Sequence, residues 1–343
     1  MRIGINGYGR IGRVLHRIIS KNTSCELIAI NDINPDKNNI AYLANYDSTY
    51  GPLEDKFHIQ DGQLKNSKES IQIFHENSID NIQWADLGIE LVIDSSGISE
   101  NLLKARNLKG VVENVIVTNS PSEDLIDKTV IYGVNHEDIS QEDFLISSSI
   151  CDATAFAPLA KLLDKAYGIK QGFLTTLHPW LGYQNLLDGP SKSYSAPGEI
   201  YDEYALGRSS LMNLIPKNTS AISATYKVLP ELKGKFLSVS YRVPTAIVSS
   251  ADSTVILDKK PSLEEVTNLL LESENTYPSI FHNNHDALVS TDLTRCDKSV
   301  VIDHRFLSVK ENYLKLLTWY DNEWGYSSRV IDLVSYLSVS KKR

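Results

Sequence analysis

The 343-residue chain has little cysteine and no run of uninterrupted apolar residues long enough to span a bilayer. A membrane helix needs about 20 such residues, so no transmembrane segment is expected. Positive charge is also in short supply: 34 Lys and Arg stand against 43 Asp and Glu, a formal net charge of −9 and a pI near 5.4. That balance argues against a broad basic face and so against a nucleic-acid partner. The three cysteines, Cys25, Cys151 and Cys296, lie far apart without metal-ligand spacing, so no metal is expected. An odd cysteine count points to free thiols in a reducing compartment, and hence to a cytoplasmic chain. Met1-Arg2-Ile3-Gly4-Ile5 runs straight into a strand pattern, so no signal peptide is expected. There are no internal repeats and no low-complexity tract. At 42% hydrophobic and 22% charged, the composition is that of a globular protein with room for two domains.

What is present is, first, a βαβ rhythm. Residues 2–6 form a short apolar run; residues 11–20 carry Ile11, Val14, Leu15 and Ile18 on one helical face. Residues 26–31, 91–94 and 114–118 read as further buried strands, which implies a parallel sheet covered by helices. After Cys151 the texture changes. Residues 155–167 look helical, and longer alternating runs follow at 172–177, 236–243, 247–257 and 313–319, as in a mixed or antiparallel sheet. Residues 191–207, rich in Ser, Gly, Pro and Tyr, read as a long ordered loop. Residues 327–337 have helical spacing, and the 340–343 tail is expected to fray.

Gly7-Tyr8-Gly9-Arg10-Ile11-Gly12 is a G-x-G-x-x-G placed between a strand and a helix. The first glycine allows the tight turn, the second admits a pyrophosphate to the backbone, and the third lets helix and strand pack closely. The helix N-terminus supplies free amides and a favourable dipole for the anion. Asp32 lies 20 residues beyond Gly12 at the end of the second strand. A carboxylate there binds ribose hydroxyls and repels a 2′-phosphate, so NAD is expected over NADP.

Cys151 follows small residues and precedes a helical pattern, a setting that lowers a thiol pKa. His178 follows the 174–177 strand pattern and is placed to project from the strand end. A Cys–His pair can form a thiolate near neutral pH. Spacing alone leaves this open, because an isolated cysteine is more often a core residue.

The chain resembles the glyceraldehyde-3-phosphate dehydrogenase family from Arg2 to about Leu337. The resemblance is carried by Ile5-Asn6-Gly7-Tyr8-Gly9-Arg10-Ile11-Gly12-Arg13, Ala29-Ile30-Asn31-Asp32, Tyr132-Gly133-Val134-Asn135 and the segment from Cys151 through Lys161. It continues in Leu229-Pro230-Glu231-Leu232-Lys233-Gly234-Lys235, Arg242-Val243-Pro244-Thr245 and Trp319-Tyr320-Asp321-Asn322-Glu323-Trp324-Gly325-Tyr326-Ser327. It implies a Rossmann NAD-binding domain over 1–149 and an α+β catalytic domain with a mixed or antiparallel sheet over 150–316. A C-terminal segment, 317–343, would pack its helix back on the NAD domain, and four copies would form a homotetramer. It also implies cofactor contacts at Arg10, Ile11, Asp32, Ser96 and Asn322, the last holding the nicotinamide carboxamide. Cys151 falls on the family nucleophile, His178 on its base, and Arg208 and Arg242 on the arginines for the attacking and substrate phosphates. Arginine suits that role through its planar fork of donors. The family's Thr-Gly pair in the phosphate loop becomes Thr219-Ser220.

The departures cluster around the nucleophile. The family reads Ser-Cys-Thr-Thr-Asn where this chain has Ile150-Cys151-Asp152-Ala153-Thr154, and a family Thr becomes Leu181 within His178-Pro179-Trp180-Leu181-Gly182-Tyr183. Trp180, Leu181 and Tyr183 read equally as pocket walls or as loop packing. A carboxylate at Asp152 should raise the thiol pKa and repel phosphate. Two unit charges about 4 Å apart interact by roughly 1 kcal/mol in water and about 4 kcal/mol at an effective dielectric near 20. We expect Asp152 to pair with Arg208 and fill the attacking-phosphate site; alternatively Asp152 turns outward and the two arginines suffice. The function expected is NAD-dependent oxidation of a small aldehyde through a cysteine thioester, glyceraldehyde 3-phosphate by family default. Erythrose 4-phosphate or a specialised sugar-derived aldehyde, with hydrolytic release, is the alternative within the class. A non-catalytic NAD-binding relative is the alternative outside it.

Overall fold

The computed structural model describes residues 1–22 and 24–340. The expectation for the 341–343 tail therefore lies outside the described residues. The chain divides into two compact units. One comprises Met1–Tyr132, His136–Ser149 and the chain from Ser327 on; the other comprises Gly133–Asn135 and Ile150–Tyr326.

The first unit is built on a nine-stranded sheet. Its centre is parallel: Arg2–Asn6 lies between Glu26–Asn31 and Leu91–Asp94, and Asn114–Val117 follows on the far side. The middle strands Leu91–Asp94 and Asn114–Val117 are buried at every position, as a parallel sheet covered on both faces demands. One edge adds the short antiparallel strands His58–Gln60 and Gln63–Lys65. Trp84, fully buried, anchors a cluster with Ile79, Ile89, Val92 and Leu102, and its indole N–H donates to the Ile79 carbonyl at 2.8 Å. The strand order reverses at Arg2–Asn6, the switch point beside which doubly wound sheets bind ligands. The helix leaving that strand, Arg10–Ile19, buries Val14, Leu15 and Ile19; Ile11 and Ile18, expected on the same face, are only partly covered because His16 and Arg17 take inward places.

The second unit is built on an eight-stranded mixed sheet. Ile169–Pro179 runs down its middle, parallel to Phe236–Val243 and antiparallel to Ser249–Leu257, which in turn pairs with Tyr313–Tyr320. The expected boundary at 316/317 falls inside that last strand, which the ladder keeps whole. Side chains alternate across a strand. Leu174, Thr176 and His178 therefore share the buried face, while Phe173 and Leu177 point outward and are exposed. The helix Cys151–Tyr167 packs against the buried face, where Phe156 meets Phe236 edge-on at 5.1 Å. Gly172 is required there, since a Cβ would come within 2.2 Å of the Phe236 ring.

Two boundaries differ from expectation. The helix begins at Cys151 rather than Ala155, and the strand extends through Pro179, so His178 sits within the ladder opposite Arg242. Long-range pairing with Phe236–Val243 decides the second point, which the local run of apolar residues cannot show.

Candidate active site

In the first unit the glycine-rich turn has the shape its sequence requires. Gly7 has φ +91°, and a Cβ on it would lie 2.5 Å from the Ser96 backbone; a Cβ on Gly12 would lie 2.2 Å from the Gly7 carbonyl oxygen. The following helix has Gly9 at its N-cap with no side-chain cap, so first-turn amides are left for an anion. Asp32 is held in place: its carboxylate accepts from the Tyr8 amide at 2.8 Å and from the Asn34 amide at 2.9 Å. Behind the turn, the Asn31 side chain donates to Asn6 at 2.7 Å and Asn6 donates to Asp94 at 2.9 Å. Ser96 accepts from the Asn101 side chain at 3.1 Å and fixes the adjoining loop. Arg10 pairs with Asp47 at 2.5 Å and lies over the Tyr50 ring. Ile33, next to Asp32, is 72% exposed, an apolar edge that the sequence motif did not single out.

The second unit brings Cys151, Asp152, His178, Arg242 and Tyr320 together. Cys151 is the first residue of its helix, and the residue before it, Ile150, offers no side-chain cap. Its Sγ lies 3.6 Å from His178 Nε2. His178 Nδ1 is 2.8 Å from the Pro179 carbonyl oxygen. Only an N–H can serve that carbonyl, so Nε2 carries the lone pair toward the thiol. Asp152, 8% exposed, places Oδ1 at 2.7 Å from the Tyr320 hydroxyl, 3.5 Å from Cys151 Sγ and 3.9 Å from His178 Nε2. Both the hydroxyl and the thiol donate to that oxygen.

This corrects the expected pairing of Asp152 with Arg208. The Arg208 Nε donates instead to Asp188 at 2.7 Å, on the surface, with the arginine side chain 63% exposed. Asp188 also accepts from the Ser209 amide, which closes a local loop around Arg208. Neighbouring chain supplies both partners at little entropic cost, whereas the buried Asp152 finds Tyr320 within its own core. Thr219 likewise commits its hydroxyl locally, accepting from the Ala221 amide at 3.1 Å. The Tyr183 ring lies tilted against Tyr194 of the long loop, centroids 5.8 Å apart, and that loop is tied by a bond from the Tyr201 amide to the Ser191 carbonyl.

The expected effect of Asp152 on the thiol is present, with burial acting more strongly still. Burial, and after it the adjacent Asp152, push the Cys151 thiol well above its ordinary range. Burial first and Arg242 second pull His178 from 6.5 to about 4, although Asp152 acts the other way. Desolvation thus acts against both ions of a thiolate–imidazolium pair.

Two residues of the site were not picked out by sequence reasoning. Tyr320 lay in plain view inside an aromatic-rich segment, but nothing local tied it to Asp152. Lys217 is half-buried and close enough to Arg242 to feel its charge, which, after burial, lowers the lysine pKa. Arg242 itself is 7% exposed, and its Nε has no hydrogen-bond partner among the described residues. Asn322 is 6% exposed, with Oδ1 in the same condition.

Comparison with known proteins now bears on this geometry. Residues 1–102 match the glyceraldehyde 3-phosphate dehydrogenase NAD binding domain, and residues 150–322 match the C-terminal domain of the same enzyme. The chain belongs to the glyceraldehyde-3-phosphate dehydrogenase family. Its similarity to curated members spans their full length. It is 35% identical to the glyceraldehyde-3-phosphate dehydrogenase of Cochliobolus lunatus over 341 residues, covering 98% of each chain. It is 35% identical to that of Chlamydia trachomatis serovar L2 over 346 residues, covering 100% of each. It is 36% identical to that of Atriplex nummularia, covering 98% of this chain and 92% of the relative. The family assignment fixes NAD as the cofactor and a dehydrogenase as the class. The glycine cradle that a Cβ would fill, with Asp32 beside it, fits that cofactor.

Proposed function

We propose that this chain oxidises glyceraldehyde 3-phosphate, or a phosphorylated aldehyde of similar size, through a thioester on Cys151. The observation that carries the reading is the approach of Cys151 Sγ to His178 Nε2, with Nδ1 tied to Pro179. As Sγ bonds to the aldehyde carbon, the thiol proton passes through His178 to the carbonyl oxygen and a hemithioacetal forms. His178 then takes that hydroxyl proton while hydride leaves the carbon, and a thioester remains. NAD, when bound, supplies the hydride acceptor. Gly7, Gly9, Arg10, Ile11, Gly12, Asp32 and Ser96 would hold its dinucleotide.

The buried Arg242, with an unpartnered Nε and Lys217 beside it, supports an anionic substrate, because a buried guanidinium calls for a counter-ion. We further propose a homotetramer in the cytoplasm. Phe173 and Leu237, opposite each other on paired strands, and Leu177 further along are exposed apolar side chains on the outward face of the second sheet, which suits a subunit interface. No helix among the described residues is long and apolar enough to cross a membrane, and the three cysteines are free.

The test is NADH formation by the purified protein with NAD and either glyceraldehyde 3-phosphate or erythrose 4-phosphate. Turnover with one of them, abolished by Cys151→Ala, is expected. Absence of even a single equivalent of NADH with both would refute the reading, whatever the oligomeric mass found by ultracentrifugation.

A further inference from the structure

The thioester must be released, and the residues around Cys151 bear on how. A phosphate attacking that carbon needs donors beside the nucleophile. Arg208, which the family resemblance assigns to that anion, is held by Asp188 at the surface. The residue after the nucleophile is itself an anion: Asp152 sits buried with Oδ1 3.5 Å from Cys151 Sγ. It stands in the first turn of the Cys151–Tyr167 helix, where the helix dipole favours a carboxylate. Tyr320 anchors it at 2.7 Å. A fixed carboxylate there repels an incoming phosphate and offers a proton acceptor to a water approaching the carbon bonded to Sγ.

We propose that this protein releases its acyl group by hydrolysis, with Asp152 as the general base for water, so that the product is a free carboxylic acid. The inference rests on the dehydrogenase reading, since it needs the Cys151 thioester. Asp152 takes a proton from water as the water oxygen bonds to the thioester carbon. The tetrahedral intermediate then collapses, the C–S bond breaks, and its electron pair returns to Sγ, which receives the proton from Asp152. Water and thioester give acid and thiol with no change of oxidation state. Tyr320 is a positioning residue that holds Oδ1 toward the thioester. Because no acyl phosphate conserves the energy of the thioester, the overall oxidation runs in one direction.

The test uses the purified full chain with NAD and glyceraldehyde 3-phosphate in phosphate-free buffer. Sustained NADH turnover without phosphate is expected, changed by less than about twofold on adding inorganic phosphate, with a free carboxylic acid as product and no acyl phosphate trapped by hydroxylamine. Asp152→Asn should keep the single-turnover burst of NADH but lose about a hundredfold in steady-state rate, the range for a general base. Tyr320→Phe should shift the acidic limb of the pH–rate profile while keeping the burst. A burst followed by turnover that requires phosphate, with an acyl phosphate trapped by hydroxylamine, overturns hydrolysis and leaves the dehydrogenase reading standing. Steady-state hydrolysis by Asp152→Asn at the wild-type rate removes Asp152 from the step. Absence of any burst with glyceraldehyde 3-phosphate and with erythrose 4-phosphate alike removes both.

Discussion

The Tyr320 hydroxyl donates to the Asp152 carboxylate at 2.7 Å, joining the strand Tyr313–Tyr320 to the first turn of the helix that carries Cys151. Both partners are buried, so the bond fixes an anion beside the nucleophile where solvent screens it poorly. The behaviour of the site at neutral pH follows from that placement.

The thiol should be sluggish. Burial and Asp152 both raise its pKa, so alkylation of Cys151 by iodoacetamide at pH 7 is expected to be slow and to climb with pH beyond the ordinary cysteine range. Asp152→Asn removes the neighbouring charge and should speed alkylation at pH 7 by about tenfold or more, one pKa unit being about 1.4 kcal/mol. Equal rates in the two proteins would show that Asp152 does not act on the thiol.

His178 should make stability depend on acid. Its folded pKa, about 4, lies below the ordinary 6.5, so the unfolded chain binds the proton more readily between those values. Its contribution, roughly 3 kcal/mol, is complete above pH 6.5 and is lost as pH falls toward 4. Urea unfolding between pH 4.5 and 7.5 should show a shallower pH slope for His178→Gln than for the wild type. Parallel slopes would contradict the depressed pKa.

Removing the Arg242 guanidinium should weaken substrate binding. Arg242→Gln is expected to raise KM for a phosphorylated aldehyde by about tenfold or more, as for loss of a charge-assisted bond worth about 1.5–3 kcal/mol. An unphosphorylated aldehyde such as glyceraldehyde should be affected far less. A uniform loss with both substrates would mean that Arg242 supports structure alone.

Gly7→Ala tests the cradle. The left-handed backbone and the 2.5 Å approach to Ser96 leave no room for a methyl group. The strain is expected to cost about 1–3 kcal/mol of stability and to weaken NAD binding measured by titration calorimetry. Unchanged affinity and unfolding midpoint would place the dinucleotide elsewhere.

Much of this protein was legible in its sequence because the signals were local. The turn Gly7–Gly12 names its own backbone geometry, since only glycine fits φ +91° against Ser96. The buried strands Leu91–Asp94 and Asn114–Val117 announce themselves by unbroken apolar runs. The long strands of the second unit show by alternation, although the end of Ile169–Pro179 needed its partner strand to define it. Cys151 and His178 were legible as a pair through resemblance, and spacing alone had left the cysteine ambiguous.

Sequence therefore determined the family, the cofactor and the two kinds of sheet, and it singled out Cys151 and His178, which folding brings together. It also disclosed that an acid replaces a neutral residue beside the nucleophile. Only the tertiary structure decided what that acid does. Asp152 and Tyr320 lie 168 positions apart, and no periodicity within either segment encodes their meeting. Arg208 turned to Asp188 for the opposite reason: its partner lies 20 positions away on the same surface loop. The push of Asp152 on the thiol was readable from their adjacency, but the larger effect on Cys151 and His178 was not, because it depends on how completely folding excludes water, and burial is a property of the packed chain rather than of any segment of it.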